Sequence, residues 1–258
     1  CGQDNTLVVR VDASQCEGWF YEGAGIYRHV WLTKTAPVHV GHWGNFVTAE
    51  PDRKSLRKLQ AAASDVAGGA SVTIRTRVQN DSDEKAAVRV QAEIIDAAGR
   101  KVAGGTSAAR TLGPWAGAEF RHKFTLKKAR LWSADKPQLY KAVTRVRSGT
   151  AVTDLTETSF GVRSIRFDKD RGFFLNEQPV KLKGVCCHQD HGGVGSALPD
   201  AIQAFRIRKL KEMGVNAYRT SHNAPTPELA APLPASATPI TTPVLVGERL
   251  ARVRLSHE

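Results

Sequence analysis

Two short stretches hold most of the side chains able to do chemistry. His188-Gln-Asp-His191 offers two imidazoles and a carboxylate. Arg219-Thr-Ser-His-Asn223 offers a guanidinium, two hydroxyls, an imidazole and a carboxamide. A neutral imidazole both donates and accepts a hydrogen bond, so His188 and His222 suit the reading of hydroxyl-rich ligands. Three histidines at one mouth, His188, His191 and His222, with Asp190 as ligand or support, could instead bind zinc. The plainest alternative for each is a loop side chain satisfied by its neighbours.

Either chemistry needs elements that bring residues 188–191 and 219–223 together. Val180–Cys186 reads as a strand. Ile202, Phe205, Ile207, Leu210 and Met213 recur at helical spacing over Pro199–Met213, with Pro199 at the start and Gly214 at the end. Val215–Arg219 reads as the next strand. Strand, helix, strand at this length is a βαβ unit with parallel strands and a right-handed crossover. Residues that follow such strands share one end. That end would carry His188, Asp190, Arg219, Ser221, His222 and Asn223.

Upstream the period is two, not 3.6. Ser71–Val78, Ala87–Ile95, Ala118–Leu126 and Lys141–Ser148 alternate apolar and polar residues, with turn material between them such as Gln79-Asn-Asp-Ser82 and Leu112-Gly-Pro114. Strands at this spacing predict an antiparallel sandwich of immunoglobulin type, without the Cys–Trp–Cys pattern of antibody domains. Thr6–Asp12, Ile26–Leu32 and Val38–Trp43 are further strand expectations, and Glu50–Leu56 reads as a connection. Three strands make a poor core alone, so they read as the tail end of an earlier sandwich.

The chain has 258 residues and a net charge of +12. A basic balance raises the question of nucleic acid. The distribution answers it: lysines and arginines alternate with apolar residues, as in Thr73-Ile-Arg-Thr-Arg-Val78, which is the solvent face of a half-buried sheet. The clusters Arg53–Lys58 and Arg206–Lys211 read as solvated surface, so no nucleic-acid partner is expected. No apolar run is long enough to span a membrane. The cysteines Cys1, Cys16, Cys186 and Cys187 form no CxxC pair and read as free thiols. The chain starts at Cys1 without a targeting pattern, and the compartment and oligomeric state stay open. Asn80-Asp-Ser82 fits an N-x-S sequon by chance. Glu17 and Glu22 beside Trp19-Phe20 could cradle a sugar ring or simply pack as a loop.

Several motifs resemble glycoside hydrolase family 2. Gly18-Trp-Phe-Tyr-Glu-Gly-Ala-Gly-Ile-Tyr-Arg-His-Val-Trp-Leu32 is similar to the signature late in that family's sugar-binding domain. Leu131-Trp-Ser-Ala-Asp-Lys-Pro-Gln-Leu-Tyr140 is similar to a segment of its immunoglobulin-like domain. Phe160-Gly-Val-Arg-Ser-Ile165, Leu182-Lys-Gly-Val185, His188–His191 and Arg219–Asn223 resemble the opening of its (β/α)8 barrel, with the His-Gln-Asp-His segment of β-galactosidases. The resemblance covers residues 3–230. It implies a mainly β, multidomain chain: residues 1–48 the remnant of a jelly-roll sugar-binding domain, 49–159 an immunoglobulin-like sandwich, 160–230 the start of a TIM barrel, and 231–258 a disordered tail.

It also implies retaining hydrolysis of β-glycosides by two glutamates about 5–5.5 Å apart. In the family the acid/base follows an asparagine. The one Asn-Glu pair here, Asn176-Glu177, reads as a turn before the first barrel strand and is not assigned that role. Neither catalytic glutamate is expected in this sequence. The chain is expected to be incomplete at both ends and inactive alone, with no cofactor and no metal. His188, Asp190, Arg219, His222 and Asn223 are the expected sugar-binding residues, for a β-galactoside or related β-glycoside. The alternative is a non-catalytic carbohydrate-binding or structural β-sandwich protein. The Ala/Pro run from Ala230 to Pro239 departs from the family and suggests a frame change or truncation near Leu229.

Overall fold

The computed structural model describes residues 6–12, 25–52, 56, 66–221 and 225–230. The chain divides into two compact units, Thr33–Leu182 and Cys1–Leu32 with Lys183–Glu258.

The described residues of the first unit form thirteen strands: β1 (Val38–Pro51), β2 (Val66–Ala67), β3 (Ala70–Asn80), β4 (Ala86–Ile95), β5 (Lys101–Thr106), β6 (Arg110–Leu112), β7 (Ala116–Leu126), β8 (Ala129–Arg130), β9 (Tyr140–Ser148), β10 (Ala151–Phe160), β11 (Ile165–Asp168), β12 (Gly172–Leu175) and β13 (Gln178–Pro179). Two sheets make the sandwich, one ordered β1-β3-β7 and one ordered β10-β9-β4-β5 with β6 also on β4. All their pairings are antiparallel. Alternation explains the layering. On β3, Val72, Ile74 and Val78 are fully buried while Arg77 is exposed. Val72, Ile74 and Leu126 of one sheet share a core cluster with Ala92, Ile94 and Ala142 of the other. A second cluster joins Val78 and Phe120 to Val88, Val90 and Val146. The sheets are therefore glued face to face by Val, Ile, Leu and Phe, as an immunoglobulin-like sandwich requires.

β1 is longer than the sequence suggests. It runs through residues 48 and 49 without a break and pairs down to Pro51↔Ala70. The β11–β12–β13 hairpins also lie in this unit. Asn176 and Glu177 occupy the two-residue turn between β12 and β13, with φ 51° and 62°. Both central residues in the left-handed region is the pattern of a type I′ hairpin turn.

In the second unit β14 (Gly184–His188) and β15 (Ala217–Ser221) pair in parallel, in register from Gly184↔Ala217 to His188↔Ser221. The helix Asp200–Glu212 connects them, with Pro199 as N-cap and Gly214 at φ 80° just past its end. A short helix, Pro227–Ala230, follows. Four strand expectations are corrected here. Thr6–Asp12 and Ile26–Leu32 form no strand; Val8 is 82% and Leu32 98% exposed. Alternation without a partner ladder leaves backbone groups to water, and no strand forms. Both barrel strands also start later than expected: the Val180 N–H donates to Phe173 O, which ties it to β12, and the Lys183 N–H donates to Asn216 Oδ1. Among the described residues no helix is long and apolar enough to cross a membrane. The tail 231–258 lies outside the described residues.

Candidate functional site

The parallel register decides which side chains meet. His188 closes β14 directly opposite Ser221 on β15, and Cys186 stands opposite Arg219. Side chains alternate across a strand, so Cys186, His188, Arg219 and Ser221 belong to one face and Cys187, Tyr218 and Thr220 to the other. The helix covers that second face, because its Arg206 donates to the Tyr218 hydroxyl at 3.4 Å.

Beyond His188 the chain turns sharply. The His191 N–H donates to Gly195 O and the Gly195 N–H back to His191 O, both at 3.0 Å. Gly193 and Gly195 sit at φ 85° and 55°, where a side chain would be strained. Arg206 holds this turn from below. Its Nη1 donates to His188 O at 3.0 Å, and its Nη2 to Asp190 O and, at 3.2 Å, to His191 Nδ1. A small cavity of about 40 Å³ lies beside these groups, lined by Cys187, His188, Gln189, Gln203, Arg206 and Tyr218 among others. Burial pushes the Tyr218 phenol up to about 12, so it stays protonated.

Arg219 points elsewhere. Its Nη1 donates to Cys186 Sγ and to Ser221 Oγ, each at 2.9 Å. The Ser221 hydroxyl, then Arg219, pull the Cys186 thiol below its ordinary value of 9.0. The fork that suits a carboxylate is thus turned toward a thiol and a hydroxyl.

The structure therefore brings His188 and Asp190 together on one turn, with Arg219 on the neighbouring strand. His222 and Asn223 lie outside the described residues, as do Glu17, Trp19, Phe20 and Glu22. Among the described residues no three His, Cys, Asp or Glu side chains converge to hold a metal, and His191 turns its Nδ1 to Arg206. Glu177 caps its hairpin turn, with its carboxylate on Arg166 Nε and Nη2 at 3.2 and 3.1 Å. Its residues belong to the sandwich unit. Sequence reasoning missed Arg206, which it grouped with the solvated run Arg206–Lys211. The signal was its place four residues after Ile202 and four before Leu210, on the same helix face as those apolar residues.

Two family models match adjoining parts of the chain. The model for glycosyl hydrolases family 2 matches residues 56–163, and the model for that family's TIM barrel domain matches residues 167–231. A β-galactosidase of Bacteroides ovatus is 39% identical over 230 residues, covering 88% of this chain and 25% of that protein. A β-glucuronidase of Formosa agariphila is 26% identical over 243 residues, covering 88% and 24%. Among solved structures, a family 2 glycosyl hydrolase from Bacteroides cellulosilyticus superposes with a TM-score of 0.72 at 32% identity, over 87% of this chain and 27% of that one. A β-glucuronidase of Bacteroides uniformis gives 0.69 at 31%, over 80% and 24%. The chain thus spans about a quarter of the length of the curated relatives it matches. An immunoglobulin-like sandwich followed by parallel barrel strands, matched by two adjoining models of one family, means that the chain belongs to glycoside hydrolase family 2.

Proposed function

We propose that the chain supplies the immunoglobulin-like sandwich and the first wall of the sugar site in a retaining β-glycosidase. The observation that carries this reading is the register of β14 and β15, which sets His188 level with Ser221 and so aligns both strand ends at one mouth. In this reading His188, Asp190, Arg219, His222 and Asn223 face the glycone. The imidazoles read hydroxyls as donor and acceptor, while Arg219 is steadied by Cys186 Sγ and Ser221 Oγ. Relatives named for galactosides and for glucuronides both match, so the substrate class is a β-glycoside.

A retaining site needs one carboxylic acid held protonated and one carboxylate about 5–5.5 Å from it. Glu177 is committed to Arg166, and Glu212 to Lys209 at 2.7 Å. The 258 residues alone are therefore expected to show no turnover of 4-nitrophenyl β-galactoside or β-glucuronide above a buffer control. Turnover that survives Glu177→Gln would overturn the absence of a catalytic pair. Calorimetric binding of methyl β-galactoside, without turnover, is the expected positive result for the wall of the site. If neither methyl β-galactoside nor methyl β-glucuronide binds, the chain is a structural sandwich and the sugar-facing roles fall.

A further inference from the structure

Arg206 bonds to three successive points of the turn after β14. It comes from the helix Asp200–Glu212, half-buried, between the buried Gln203 and Ile207. Its two terminal nitrogens reach His188 O, Asp190 O, His191 Nδ1 and the Tyr218 hydroxyl. None of these partners is a carboxylate. The guanidinium is spent on carbonyls, which a surface arginine in an ordinary ion pair does not do. Both carbonyls belong to residues proposed for the sugar mouth.

We infer that Arg206 is a positioning residue that preforms the His188–His191 turn and fixes the tautomer of His191. The inference rests on the reading of this mouth as a sugar site. The chemistry is direct. A guanidinium only donates, so His191 Nδ1 must accept. The proton of the neutral ring then sits on Nε2. His191 becomes a hydrogen-bond donor through Nε2, a role the sequence did not give it. The planar fork matters as much as the charge: it spans the carbonyls of residues 188 and 190 at once, which a lysine ammonium cannot do with the same geometry. Helix and turn are thereby joined, and the loop does not have to be ordered when ligand arrives.

The test uses the whole 258-residue chain, with Arg206→Met, Arg206→Lys and, as a control, Tyr218→Phe. Nitrogen-15 spectra of the imidazoles report the His191 tautomer. Amide exchange reports the turn His191–Gly195 relative to β14 and β15. In the unaltered chain His191 should hold a single Nε2–H tautomer. Arg206→Met should release it to a mixture and speed exchange in the turn at least about tenfold, the size expected for losing charge-assisted hydrogen bonds. Amides in β14 and β15 should move less than about twofold. Tyr218→Phe should leave the tautomer fixed. Arg206→Lys should fall between, and decides the matter if the methionine variant does not fold. A fixed tautomer and unchanged turn in both Arg206 variants overturns the proposal. So does equal acceleration in strands and turn, which marks a general structural role. Titration with methyl β-galactoside and methyl β-glucuronide separates the two readings. No shift at residues 188–191 with either sugar, with the Arg206 effects intact, sinks the sugar site and leaves the clamp standing.

Discussion

Single polar side chains do much of the fixing in this molecule. Asn80 is fully buried, and its amide donates to Glu84 O at 2.7 Å and Gly113 O at 2.9 Å while its oxygen accepts from Ser82 at 2.7 Å. Asn80→Ala strands two carbonyls and should lower unfolding stability by about 2–3 kcal/mol, measured by urea titration. Asn176 works the same way. Its side chain donates to Trp132 O and accepts from the Ser164 N–H, both at 3.0 Å, so two segments singled out in the sequence meet through one amide. His122 contributes differently. Burial in the sandwich lowers its pKa below the ordinary 6.5. The unfolded chain therefore takes up the proton first, and the neutral ring stabilises the fold fully above about pH 6.5. That contribution is lost as pH falls from there toward the folded pKa. Thermal midpoints should drop between pH 7 and 5, and His122→Leu should flatten the drop; equal slopes would contradict it. Little of this was legible in the sequence. Asn80 stood out only as half of a sequon, because a buried side-chain network has no periodicity to read.

Elements were legible where one face is buried and the other wet. β3, β4, β7 and β9 show that alternation, and their observed bounds lie within two residues of the expected ones. β5 and β10 were missed because they give it no contrast: β5 is Lys-Val-Ala-Gly-Gly-Thr and mostly exposed, and β10 is exposed or half-buried along most of its length. The helix was legible from Pro199, Gly214 and its spacing, but not its packing. Of its apolar residues Ile207 is buried, while Phe205 is 45% and Met213 75% exposed. A contrast in substitution costs follows. Ile94→Ala, at a fully buried site of β4, should cost about 2–5 kcal/mol. Phe205→Ala should cost well under about 1 kcal/mol in the isolated chain, since a half-exposed ring leaves little cavity. Comparable losses by denaturant melts would refute this account of the helix face.

Across the whole molecule, the two units differ in what surrounds their strands. The sandwich strands lie in sheets with partners on both sides for β3, β4 and β9, and their cores are closed. β14 and β15 form a two-stranded sheet, with one ladder between them. Amide exchange should be slowest between about Ser71 and Thr158, and faster over Val180–Arg219 by at least about tenfold. Equal protection in both would show that the parallel pair is as stable as the sandwich. The family was legible because several of its motifs stand in sequence order. Of the candidate site, the sequence pointed to the residues at the strand ends and not to Arg206, because that helix residue carries no motif. The central place of β4 has a consequence in time. Gln91 pairs with Thr106 on one side and with Arg145 on the other. The near partner can dock as a hairpin within microseconds, whereas the far one must wait for a long loop to close. Refolding should therefore be paced by β9 settling onto β4. Truncating Val146 should then slow folding, and truncating Ala103 of β5 should leave the folding rate nearly untouched.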